Sequence, residues 1–128
     1  MKKCRINDIP LTRNFNLREF HSPDTGEVIV RKSVITGLQQ VRDKIGKSIL
    51  ITSGYRTEKH NRYVGGEEQS QHRNGLAVDV SIVGHDPVEL KKLLRRAGFK
   101  QVILYREKKI IHAAIYKKNP FNVSKNIA

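Results

Sequence analysis

Apolar positions along the chain change spacing several times, and each change marks an element. Val34, Leu38, Val41 and Ile45 recur at three- and four-residue intervals. That predicts an amphipathic helix over residues 33–45, with Gly46 placed to close it. Ile49, Leu50 and Ile51 lead into Thr52 and Ser53, a short buried strand. Thr57 is a candidate cap for a short helix through Tyr63, stopped by Gly65-Gly66. Residues 76–82 alternate as a strand does. Asp86-Pro87-Val88-Glu89 combines a capping acid, a proline at the first helical position and an acid in the first turn, which starts a helix that ends near Gly98. Residues 101–105 and 109–116 then read as two strands joined by the polar turn 106–109. Asn16 could cap a short helical turn reaching Phe20, and Ser22-Pro-Asp-Thr-Gly26 is a loop. The expected class is α+β, a small antiparallel sheet with helices packed on it. One domain spans 1–128, with 1–12 and 119–128 loosely ordered.

The same alternation sorts the polar residues. Leu76, Val78, Val80 and Ile82 share the natural core side of their strand, so Ala77, Asp79 and Ser81 share the other. In the last strand Ile111, Ala113 and Ile115 form an apolar face. Ile110, His112, Ala114 and Tyr116 point the other way. Asp79 and His112 are thus lone ionisable groups in otherwise apolar strands. His72 stands seven residues before Asp79, with Gly75 available for the turn between them.

Two imidazoles and one carboxylate are a donor set that suits Zn²⁺, with a fourth position for a water that the metal would acidify for hydrolysis. The alternative is three separate, hydrogen-bonded structural residues. His60 could line a cleft, although a solvated helix position suits it better. His21 and His85 fall in loops. Tyr105 and Tyr116 could border the cleft, but core packing is the expectation that suits them better.

Composition adds a partner class. Lys and Arg number 25 against 12 acids, a net charge of +13. Eleven of those basic residues lie from Lys91 onward, where Glu107 is the sole acid. The bias suggests an anionic partner, whether wall polymer, lipid surface or nucleic acid, against the alternative of a merely solvated basic surface; no base-reading motif supports nucleic acid. No run approaches the ~18 apolar residues of a membrane span, and no apolar stretch follows Lys2-Lys3 as in a secretory signal. The protein is therefore expected to be made in the cytoplasm. One cysteine, Cys4, excludes an internal disulfide and any cysteine-based metal motif.

Several segments together resemble a known family: residues 14–20 (NFNLREF), Leu38-Gln39, Arg42-Asp43, residues 51–56 (ITSGYR), His60-Asn61, Val64-Gly-Gly66 and residues 70–79 (SQHRNGLAVD), then Gly98-Phe99 and Ile111-His112. The chain resembles the M15-type zinc peptidoglycan peptidases, the D-alanyl-D-alanine carboxypeptidase and L-alanyl-D-glutamate peptidase superfamily related to the hedgehog signalling domain. The resemblance implies zinc bound by His72, Asp79 and His112. It implies that Arg56 binds substrate near the scissile carbonyl, and that Ser70 either contacts substrate or braces the turn before His72.

The sequence departs from that family at the general base. Active relatives usually carry an acid three positions before the last histidine, where this chain has Lys109. Many read His-x-Asp there, where this chain has His112-Ala113-Ala114. Glu107 is the nearest acid and serves as the candidate catalytic base if the 106–109 turn folds it over the metal. Two functions remain open: a peptidase, carboxypeptidase or endopeptidase, acting on peptidoglycan stem peptides at the bacterial wall or from a phage particle; or a catalytically weak zinc-containing wall-binding or virion module. A monomer is expected.

Overall fold

The protein is described by a computed structural model over residues 6–121. Residues 1–5 and 122–128, with Cys4 and most of the expected C-terminal tail, lie outside the described residues.

Helix α1 (Lys32–Ile45) buries Val34, Leu38 and Val41 and ends at Gly46 in the left-handed conformation. Helix α2 (Glu58–Tyr63) starts at Thr57, whose hydroxyl accepts the His60 N–H. Helix α3 (Pro87–Arg96) starts at Asp86, whose carboxylate accepts from Val88 and Glu89. These caps satisfy backbone donors that no helical carbonyl can reach. Two 3-10 turns complete the helical elements, Leu17–Phe20, capped by Asn16, and Gln71–Asn74, capped by Ser70.

Strands β1 (Ile51–Ser53), β2 (Ala77–Ser81), β3 (Gln101–Tyr105) and β4 (Ile110–Ala114) form one sheet in the order β1-β2-β4-β3. Every neighbouring pair is antiparallel, so the class is α+β. Val78, Val80, Ile111, Ala113 and Val102 face one side, where Leu38, Leu90, Leu94 and Phe99 pack with them into the core. Truncating Leu38, which is fully buried, is expected to cost roughly 2–5 kcal/mol of unfolding free energy. Urea titration of Leu38→Ala measures it.

All five β2 residues are buried, because the turn 71–74 packs over its second face. Gly75 permits this approach. It sits at φ +69, and a β-carbon there would collide with the Ile29 carbonyl oxygen. Chain reversal three residues after His72 therefore depends on that glycine. Between β1 and β2 the register slips: Ile51 pairs with Val80, yet Ser53 pairs with Asp79. This bulge puts Ser53, rather than Thr52, opposite Asp79, and so turns its hydroxyl to the sheet's second face. Near the N-terminal end of the described chain, Leu11 and Thr12 both donate backbone N–H groups to the Phe15 carbonyl.

Candidate metal centre

Pairing of β2 with β4 places Asp79 directly opposite His112, and the turn 71–74 lowers His72 onto the same spot. The ligand-capable atoms of His72, Asp79 and His112 all lie within 4.8 Å of one another. Asp79 Oδ1 is 3.3 Å from His72 Nε2 and 3.1 Å from His112 Nδ1. Two donors on a tetrahedral metal with ~2.0–2.1 Å bonds stand ~3.3–3.4 Å apart, so these separations fit one ion.

The outer atoms of each ring decide what faces the centre. His72 Nδ1 lies 2.7 Å from the Gly54 carbonyl oxygen, which can only accept, so Nδ1 carries the proton. His72 Nε2 therefore presents a lone pair. His112 Nε2 is 2.9 Å from Gln101 Oε1. The Gln101 amide is oriented in turn, because its Nε2 donates to the Lys117 carbonyl at 3.1 Å. In the neutral ring His112 Nδ1 consequently also presents a lone pair. Two neutral imidazoles and a carboxylate then aim three acceptors at one point, an arrangement that repels itself until a cation fills it. Protons can fill it partly; a divalent metal satisfies all three at once.

Electrostatics agree with that reading. Burial pushes the Asp79 carboxyl up, but protons shared from His112 and His72, standing where a cation would, outweigh it and leave Asp79 well below the usual carboxylate range. Burial pushes the His72 imidazole below its ordinary value of 6.5, more strongly than Asp79 raises it. Asp79 is thus anionic and His72 neutral at neutral pH, the states a metal needs.

Gln101 was not among the residues singled out from sequence. The signal was present: it begins a strand on which Gln101, Ile103 and Tyr105 alternate towards the His112 side, but without the β3–β4 register nothing tied its amide to His112. Removing the amide in Gln101→Leu is expected to lower divalent-metal affinity by about 10- to 100-fold. Competition with a chromogenic chelator measures this directly.

Arg56 joins the site from beside Asp79. Its Nη2 is 3.3 Å from Asp79 Oδ2, leaving Oδ1 to the histidines. Arg56 Nη1 donates to Asn61 Oδ1 at 3.3 Å and Nε to Ser53 Oγ at 3.2 Å. Three of the five guanidinium N–H groups are thus engaged, and two remain for the cleft. Burial lowers the Arg56 pKa while Asp79 raises it; the guanidinium remains charged regardless. Asn61 is itself fixed, donating to the Glu67 carbonyl at 2.8 Å. Gly66 is required here, since a β-carbon would strike Asn61 Oδ1 and lie 2.8 Å from Arg56 Nη1.

These groups open into a cleft of about 530 Å³, in the range of small-ligand sites. Arg56, Ser70, His72, Asp79 and His112 all line it. Ser70 braces the turn that carries His72, its hydroxyl accepting the His72 N–H at 3.2 Å. Glu107 lies exposed on the β3–β4 turn and outside the cleft lining. Lys109 occupies the left-handed position of that turn at φ 57, also outside the lining, and Ala114 is buried opposite Ala77 and Gln101. Glu67, on the loop after Gly66, is the acidic residue besides Asp79 among those lining the cleft.

Other expectations need correction. Tyr105 and Tyr116 are not core residues: they are 41% and 39% exposed. Tyr105 lies on an edge strand and lines the cleft; Tyr116 follows β4 after the sheet has ended. His60 does not reach this cleft and lines a smaller cavity with His21. His85 contacts the Ser48 carbonyl. No helix among the described residues is long and apolar enough to cross a membrane.

A sequence-family model described as Peptidase M15 matches residues 7–114, a span that holds all three converging side chains. No curated protein matches the chain.

Proposed function

The chain belongs to the peptidase M15 family, and from that premise we propose that it is a zinc-dependent peptidase acting on the stem peptides of bacterial peptidoglycan. The observation that carries this reading is the convergence of three acceptors from His72, Asp79 and His112, each ring held by its own outer hydrogen bond. Two nitrogens and one oxygen, with a cleft open beside them, match zinc's preference for three protein ligands and one exchangeable position.

Bound zinc would supply Lewis-acid polarisation of the substrate carbonyl and acidify a water. The chain's own residues do the rest. Arg56 lines the cleft, and its two unengaged N–H groups are available to hold a substrate carboxylate or the oxygen that gains charge as the carbonyl is attacked. Ser53, Asn61 and Asp79 fix the guanidinium plane, so little reorganisation accompanies that change. Proton acceptance falls to Glu67 by elimination. Asp79 has both oxygens engaged, Glu107 lies outside the cleft lining, and Lys109 and Ala114 bring no carboxylate.

Amino groups released from isolated peptidoglycan measure the assignment. Glu67→Gln is expected to reduce turnover by about 100-fold or more with metal content intact, while Glu107→Gln retains wild-type turnover. Full activity in Glu67→Gln would remove Glu67 from the mechanism. The second reading, a weak or inactive wall-binding or virion module, draws on Lys109 and Ala114 at positions where active relatives carry acids. That reading requires zinc binding without amino-group release.

A further inference from the structure

The chain does not end its work on the cleft at residue 114, where the family match stops. Beyond β4 it turns back across the cleft, and Lys117, Lys118 and Asn119 line the wall there. Three polar anchors hold this strap. Gln71, buried beside the ligand His72, uses both ends of its amide on Tyr116: Nε2 donates to the carbonyl at 2.6 Å, and Oε1 accepts the N–H at 3.1 Å. Gln101 donates to the Lys117 carbonyl. Asn119 Nδ2 reaches the Gln69 carbonyl at 3.1 Å and Asn74 Oδ1 at 2.9 Å, on the turn that carries His72. The strap is thus bound to the supports of two metal ligands.

Neither Lys117 nor Lys118 pairs with a carboxylate among the described residues. Across the cleft Lys108 stands 5.4 Å from the Tyr105 ring centroid, and both line the opposite end. Among the lining residues Glu67 and Asp79 are the acids, and Asp79 is already engaged by Arg56. His112 lies between the two ends, two residues along β4 from both Ile110 and Ala114, or roughly 7 Å each way. A peptide crossing the metal centre therefore meets fixed positive charge on either side of the reacting carbonyl.

We propose that residues 116–119 form a specificity wall, in which Lys117 and Lys118 select a peptide substrate carrying a free carboxylate beside the bond to be cleaved. The inference rests on the peptidase reading and adds to it the charge of the substrate. Pairs of this kind, partly exposed, contribute modestly one at a time. Two lysines held on one wall should favour the carboxylate form by about three- to tenfold, and added salt should erode the preference.

The test uses two synthetic stem-type pentapeptides, one with its carboxylates free and one with each converted to the carboxamide. Binding is followed by calorimetry and cleavage by amino-group release, for wild-type protein and for a Lys117→Gln/Lys118→Gln double variant. The expected result is a wild-type preference for the carboxylate peptide that collapses towards one in the double variant, through KM and with kcat for that peptide preserved. A purely structural strap would instead weaken both peptides alike. Equal wild-type binding of the two peptides, or a preference that survives the double substitution, overturns the proposal. Selective binding without cleavage of either peptide contradicts the peptidase reading while sustaining the carboxylate subsite. Failure to bind either peptide overturns both.

Discussion

Asp79→Ala is expected to abolish high-affinity metal binding and, with it, amino-group release from peptidoglycan. The carboxylate is the hub of the site: Oδ1 faces both histidines and Oδ2 faces Arg56. Without it two imidazoles remain, and the guanidinium loses its anionic partner, so positive charge accumulates where a cation should sit. Wild-type protein should gain about 4 kcal/mol of unfolding free energy when zinc is present at ~1,000 times its dissociation constant. Asp79→Ala should gain almost none. Thermal melts with and without zinc read the difference, and metal analysis should find about one equivalent in wild type and none in the variant. Equal zinc stabilisation of the two proteins would mean that the metal binds elsewhere.

The second large effect belongs to Arg56. Arg56→Lys is expected to lower kcat/KM by about 100- to 1,000-fold, the range found when one preorganised donor to a developing oxyanion is lost, while zinc content stays at wild-type level. A lysine keeps the charge but cannot engage Ser53, Asn61 and Asp79 together and still offer N–H groups to the cleft. Steady-state kinetics on a stem peptide, with zinc measured on the same samples, separates the two effects. Loss of zinc along with activity would assign Arg56 to metal retention through Asp79 instead.

Local rules made much of this molecule readable. The caps at Asn16, Thr57 and Asp86 and the periodicity of α1 depend on neighbours within a few residues, and the structure has them. Alternation alone put Asp79 and His112 on the side of their strands away from the core. Pairing was not readable. Nothing local says that β4 lies between β2 and β3, yet that order sets Asp79 against His112. The slip at Thr52 is equally hidden, because a bulge arises from pairing with β2 rather than from a signature in the three residues of β1. Amides were the other blind spot. Gln71, Gln101 and Asn119 look like solvated surface residues in sequence; Gln101 acquires its role only when β3 pairs with β4, and Gln71 and Asn119 theirs only when the chain after β4 returns to the cleft. Tyr105 and Tyr116 misled for the opposite reason, since aromatic character suggests a core and only a place on the edge strand or beyond the end of the sheet reveals exposure.

The most direct measurement follows amino groups released from isolated peptidoglycan by three samples of the wild-type protein: zinc-loaded, stripped by chelation, and stripped then reloaded with zinc. The account predicts release by the first, none by the second and recovery in the third. Release that is equal with and without zinc, or absent from the zinc-loaded protein, would contradict it.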